Sequence, residues 1–186
     1  MDKKDINDLI SWFVEKRSVI DYEQIPEIDL YMDQLTTFMD ERLKGYKRDK
    51  TDKILTKTMI NNYTKDNVLP PPEKKKYNKE QISLLIIIYH LKSALTINDI
   101  SAVFDYMESE EISVENAYKA FAGITKREKS EFAGRAGELL DEAEKNARET
   151  DGAGKALILN VIMTLIVEAN SRSQLAERLI DMMKTK

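Results

Sequence analysis

No cysteine occurs anywhere in the 186 residues. That excludes disulfides, thiolate catalysis, zinc fingers and iron–sulfur clusters, and it fits a reducing compartment. Histidine occurs once, at position 90 inside an apolar run, where it reads as a packing residue rather than a catalytic base. Glycine is sparse and never clustered into a phosphate-cradling loop, and there is no Ser/His/Asp arrangement or His-x-x-x-His pair. The acidic runs at Glu108, Glu110 and Glu111 and at Asp141, Glu142 and Glu144 read as solvated helix faces rather than metal ligands. No enzyme activity, cofactor or metal is therefore expected. Long hydrophobic runs are also missing: 82–91 and 156–167 are the longest, short of the roughly 17–25 residues needed to span a bilayer. The opening MDKKDINDL lacks the basic-then-apolar layout of a signal peptide. A cytoplasmic protein without membrane association is the expectation.

The chain is 42% hydrophobic and 33% charged, with a net charge of −4. Its length supports one good core, or a small domain with a helical extension. The charge is unevenly placed. From Arg42 to Lys79 there are twelve Lys/Arg against four Asp/Glu, a surplus of eight, which leaves −12 for the remainder. A basic segment on an acidic body suits one face that meets a polyanion; the plainer alternative is a solvated lysine-rich loop.

Residues 53–80, KILTKTMINNYTKDNVLPPPEKKKYNKE, organise the rest. Thr56 can N-cap a helix over about 57–66, because its hydroxyl accepts a free first-turn N–H. Met59, Ile60 and Tyr63 share the inner face of that helix, while Lys57, Thr58, Asn61 and Lys65 point away. Pro70, Pro71 and Pro72 cannot continue a helix and hold the preceding residues extended. Lys74, Lys75 and Lys76 follow as a basic finger, then Tyr77 and a capping box of Asn78 with Gln81. A small helix with a polar outer face beside a stiff basic hairpin suits a major groove and its flanking phosphates.

The run TMINNYTKDNVLPPPEKKKYNKEQI resembles the recognition helix and wing of MerR-type winged helix-turn-helix regulators. Thr58, Met59, Ile60, Tyr63, Leu69, Pro70, Lys75 and Tyr77 carry the likeness, and LTINDISAVF resembles the helix that closes such domains. It covers about residues 51–107. Asn61 or Asn62 stands where that family has a helix arginine, and lysines replace its wing arginines, keeping charge but losing the bidentate fork. Taken whole, the chain also resembles a bacterial family catalogued as domain of unknown function 1836, which implies a compact helical protein.

Elsewhere the periodicity is helical. Residues 5–20 form an amphipathic helix with Ile6, Leu9, Ile10, Phe13 and Val14 on one face and Trp12 at its edge. Pro26 is placed to open a helix that runs to Gly45. Residues 46–53 make a basic connector. Apolar helices follow at 79–92 and 97–108, the latter capped by Thr96. A helix from Ser113 is expected to break near Gly123, with Thr125 and Glu128 starting the next one to Glu149. Asp151–Gly154 reads as a turn. The last helix is apolar almost all round over 156–167 apart from a stripe of Asn160, Thr164 and Glu168, so it is central to a bundle or covered by a second subunit. A break at Asn170–Ser171 precedes a final helix.

The expected fold is all-α with a small β-wing: an N-terminal arm (1–24), a winged helix-turn-helix module (25–110) and a C-terminal helical bundle (111–186). The expected function is a DNA-binding transcriptional regulator. Asn61 and Asn62 would face base edges, since asparagine can pair bidentately with adenine. Lys57, Thr58, Lys65, Lys74, Lys75, Lys76 and Tyr77 would lie on the backbone. Double-stranded DNA, a second copy of the chain and a small-molecule effector are the expected partners. The alternative is a protein-interaction or ligand-sensing module that keeps the fold without DNA.

Overall fold

The structure, a computed structural model, describes residues 2–151 and 156–185. Among these residues it is predominantly helical, with one two-stranded antiparallel sheet. The elements are α1 (Lys3–Lys16), β1 (Leu30–Tyr31), α2 (Met32–Arg42), α3 (Lys57–Lys65), β2 (Lys76–Tyr77), α4 (Lys79–Leu91), α5 (Ile97–Ser109), α6 (Val114–Asp151) and α7 (Leu157–Lys184). They form two compact units that cut the chain differently from the expected boundaries at 24 and 110. One unit is Arg17–Thr125 with Glu177–Lys186, the other Met1–Lys16 with Lys126–Ala176.

The larger unit is built around α4. All eight residues from Gln81 to Ile88 are buried. This run is rich in β-branched side chains and could have been a strand. The cap decides for helix: Asn78 Oδ1 accepts the Gln81 N–H at 2.9 Å, and Gln81 Oε1 accepts the Asn78 N–H at 2.9 Å. Ser83, fully buried, returns its hydroxyl to the Lys79 carbonyl at 2.8 Å, so no polar group is orphaned there. Leu35, Met39, Leu43, Ile54, Ile60, Leu69, Tyr77 and Ile100 close the core around α4. Tyr118, from the start of α6, donates its hydroxyl to the Ile20 carbonyl at 2.9 Å and ties residue 20 to the same core.

Pro26 does not open α2. Residues 30–31 are instead extended and pair with β2, Leu30 opposite Tyr77 and Tyr31 opposite Lys76. The helix starts at Met32, with Gln34 Oε1 accepting the Tyr31 N–H at 2.9 Å. A partner strand far along the chain overrides the local proline signal.

In the smaller unit, Ile6 and Ile10 of α1 pack with Ala136, Leu140, Ala143 and Ala147 of α6 and with Leu157 and Val161 of α7. The alanines let helices approach closely. Lys3 reinforces the contact by pairing with Asp141 and Glu144. These contacts draw α1 into this unit. Trp12 is 53% exposed.

The expected breaks at Gly123 and Asn170–Ser171 are absent, because α6 and α7 are continuous there. The reason is the same at both. Thr125 donates to the Phe121 carbonyl at 2.8 Å, and Ser171 to the Val167 carbonyl at 2.9 Å. Each hydroxyl bonds back to the preceding turn instead of capping a new helix. The turn expected over 151–154 lies, past Asp151, outside the described residues.

Gly134 and Gly137 stand exposed in mid-helix, and a Cβ built on either meets nothing within 4 Å. Glycine there costs about 1 kcal/mol relative to alanine. Gly134→Ala and Gly137→Ala are each expected to raise the unfolding free energy by about 1 kcal/mol, read as an upward shift of the urea midpoint at constant slope.

Candidate nucleic-acid interface

The candidate site begins at α3, whose two ends are set by local chemistry. At its start Thr56 Oγ1 accepts the Met59 N–H at 3.2 Å, as its position before the helix predicts. At its end Asn67 adopts a φ of 57°, the Val68 N–H reaches the Tyr63 carbonyl at 2.9 Å, and the Asn67 N–H reaches the Thr64 carbonyl at 3.2 Å. This is a Schellman stop with asparagine as the left-handed residue. Between the ends, Ile60 and Tyr63 are buried and Met59 half-buried, while Lys57, Thr58, Asn61, Asn62 and Lys65 are all exposed. At 100° per residue those five side chains fall within one arc of about 140°.

After the stop, Val68 and Leu69 enter the core and the chain crosses the three prolines. Pro70 and Pro71 are held by Gln81, whose Nε2 donates to their carbonyls at 3.0 and 2.9 Å. The hairpin that follows is tight. The Lys76 N–H reaches the Glu73 carbonyl at 2.9 Å, and the two central residues, Lys74 and Lys75, have φ of 48° and 65°. Successive positive φ values mark the turn that best matches strand twist and that normally takes Asn-Gly. A residue with a Cβ in this region costs roughly 1–2 kcal/mol. The chain accepts that strain and presents two exposed lysines at the tip.

The other candidates are placed differently. Lys76 is half-buried, with its ammonium 5.0 Å from the centre of the Tyr31 ring. Tyr77 is 2% exposed and belongs to the core. Its ring anchors β2 opposite Leu30 and is not available to a ligand, which corrects its place among the contacting residues. Lys57 pairs with Asp33 of α2, both well exposed. Such a pair is worth roughly 0–1 kcal/mol and is readily exchanged for another anion.

The connector brings in residues that spacing alone does not reveal. Lys44, Lys47 and Lys53 line an open cleft of about 530 Å³ beside Lys57 at the first turn of α3, with Asp40 and Glu41 on the α2 side. Asp40 holds the connector in place. It takes the Lys47 ammonium at 2.7 Å and the Ile54 N–H at 3.1 Å. Burial raises its pKa, but the Lys47 ammonium and the Ile54 N–H outweigh that and hold the carboxyl below its ordinary range. Lys92 adds a bond to the Ile54 carbonyl at 3.1 Å. Among the described residues, no group of His, Cys, Asp or Glu is arranged to hold a metal ion, and no helix is long and apolar enough to cross a membrane.

No curated protein and no solved structure matches the chain. A family described as a domain of unknown function, DUF1836, matches residues 20–121, a span that takes in α2, α3, the hairpin, α4, α5 and the beginning of α6. That is more than half of the chain, and the protein belongs to the DUF1836 family.

Proposed function

We propose that the protein is a DNA-binding transcriptional regulator with a MerR-like winged helix-turn-helix, in which α3 is the recognition helix and the 73–76 hairpin the wing. The observation that carries this reading is the strained tip. Two lysines occupy backbone positions that favour Asn-Gly, beside a helix whose whole outer face is polar or basic. In this reading Asn61 and Asn62 meet base edges, and Lys57, Thr58, Lys65, Lys74 and Lys75 meet phosphates. Lys44 and Lys53 extend the backbone contact at the first turn of α3. The protein acts as a homodimer. The C-terminal bundle supplies an effector site in the groove between α6 and α7, about 260 Å³, with Phe132, Leu139 and Leu165 among its lining residues.

The tip offers a test that separates charge from folding. Lys74→Asn with Lys75→Gly supplies the residues the turn prefers and removes two charges. Fluorescence anisotropy against the chain's own upstream DNA, at several salt concentrations, is expected to give weaker binding to every fragment and a log–log salt slope shallower by about 2 for each copy bound, about 4 for the dimer. Unfolding of the same variant is expected to require about 1–2 kcal/mol more. Asn61→Ala is expected to keep the slope and lose about 1–3 kcal/mol of preference between fragments. Binding no tighter at low salt than that of an equally acidic control protein would end this proposal.

A second reading, a protein-interaction module on the same fold, draws on two observations. Fourteen residues, 43–56, separate α2 from α3, where a helix-turn-helix has a tight turn. Several lysines are already engaged: Lys57 with Asp33, Lys76 with Tyr31, and Lys79 with Glu27 and the Tyr22 ring. Failure of DNA binding in the experiment above would favour it.

A further inference from the structure

We infer that the apolar face of α7 between Ile158 and Val167 is covered by the same face of a second copy of this chain. The argument stands apart from DNA binding.

The helix is turned the wrong way for a monomer in water. Leu157, Val161 and Leu165 pack in the cluster with α6, and the semi-polar stripe of Thr164 and Glu168 lies on that same inner side of the helical wheel. Asn160, at its edge, bonds inward to the Ala143 carbonyl at 3.4 Å. The outer arc carries Ile158, Leu159, Ile162, Met163, Ile166 and Val167, which are 39–60% exposed. Amphipathic surface helices show the reverse pattern.

The unit has reason to need a partner. Among the described residues its buried core is eight side chains, three of them alanine. A unit of this size seldom gains enough from such a core to be stable alone. At roughly half exposure, the six outer side chains present on the order of 600 Å², the top of the range for the largest patch on a monomer. Pairing two copies would bury about 1,200 Å² from α7 alone, above the roughly 1,000 Å² expected of a specific interface.

The chemistry of the face selects the occupant. No charge interrupts 157–167, so the same patch on two copies meets without like-charge repulsion, as an isologous contact requires. A lipid surface would call for a basic margin. The margin on the α6 side is instead mostly acidic, five glutamates, Glu138, Glu142 and Glu168 among them, against Arg135 and Arg172.

The absence of native cysteine makes the test clean. Ile162 lies at the middle of the patch along the helix and within about 50° of the centre of its arc, so it comes near its own copy about a two-fold axis whichever way the helices run. Ile162→Cys is expected to form an intermolecular disulfide on mild oxidation, and Lys145→Cys, exposed on α6, is not. Sedimentation of the full chain without DNA is expected to give twice the chain mass, and Ile162→Glu with Met163→Glu to raise the dimer dissociation constant at least about 100-fold. The substituted positions are exposed, and circular dichroism reports whether the helices persist. A monomer up to about 50 µM overturns the inference, whatever else then occupies the face. So does a dimer that survives the double glutamate variant without crosslinking through position 162. Neither result decides whether Lys74 and Lys75 meet DNA, which the anisotropy experiment reads separately.

Discussion

Gln81→Glu is expected to destabilise the larger unit by about 3 kcal/mol or more at neutral pH, although it replaces one atom by another of nearly the same size. Gln81 is 6% exposed and uses both ends of its amide. Its oxygen accepts the Asn78 N–H at the start of α4, and its nitrogen donates to the carbonyls of Pro70 and Pro71 at 3.0 and 2.9 Å. A carboxylate still accepts the first bond but turns a negative oxygen towards two carbonyl oxygens. Protonation relieves this by restoring one donor. The folded-state pKa of the new carboxyl therefore lies above its unfolded value of about 4.3. The charge penalty is absent below about pH 4, where only the loss of one of the two donated bonds remains; it grows as pH rises and is complete above the folded pKa. Gln81→Met, which removes the bonds without adding charge, is expected to cost about 2–3 kcal/mol at every pH. Urea unfolding of the three proteins between pH 4 and 8 checks this. Equal losses for Glu and Met at neutral pH would mean that the new carboxylate turns away from the proline carbonyls. Because Gln81 clamps the segment leading into the hairpin, both variants also measure how firmly the lysine tip is held.

Legibility followed the range of the interaction. Thr56, Asn78 with Gln81, and Thr96 were readable as caps because a cap is satisfied within its own first turn, and α3, α4 and α5 start where those residues place them. The strand at Leu30–Tyr31 was not readable, since its partner lies at Lys76–Tyr77 and Pro26 offered a strong local signal for helix. Thr125 and Ser171 misled for a related reason: a hydroxyl on a helix can cap the next helix or bond back to its own, and the surrounding packing decides which. The partner of α1 has no sequence signal, because Ile6 and Ile10 meet Ala136 and Leu140 only in the folded chain. At the candidate site, the outer face of α3 followed from spacing. The backbone of the tip did not, because lysine has no preference for positive φ and its placement there is imposed by the hairpin. The second role of Gln81 was hidden as well, since a capping glutamine ordinarily has its nitrogen in water.

His90 carries the remaining large effect, on the pH dependence of stability. Its ring lies 4.7 Å from that of Tyr46, 5.5 Å from Tyr89 and 5.1 Å from Phe121. The Arg17 guanidinium sits over the Tyr46 ring at 5.2 Å. Burial, aided by the positive charge of Arg17, lowers the imidazole pKa to about 4. The unfolded chain binds a proton near pH 6.5, so between about pH 6.5 and 4 the unfolded state takes up a proton that the folded state refuses. The stability this neutral histidine contributes is therefore fully present above pH 6.5 and is lost as pH falls towards 4. A shift of this size corresponds to at most about 3 kcal/mol, and the partial exposure of the ring brings the expected loss to about 2 kcal/mol. Asp40 and Asp99 titrate lower still, because their partners hold both carboxyls below the ordinary range. Their contribution falls below the window in which His90 acts. His90→Phe preserves an aromatic ring and removes the titration. Its unfolding free energy is expected to be flatter than wild type from pH 7 to 4.5 by about the same 2 kcal/mol. A slope unchanged by the substitution would place the proton uptake elsewhere and leave His90 as an ordinary, solvated histidine.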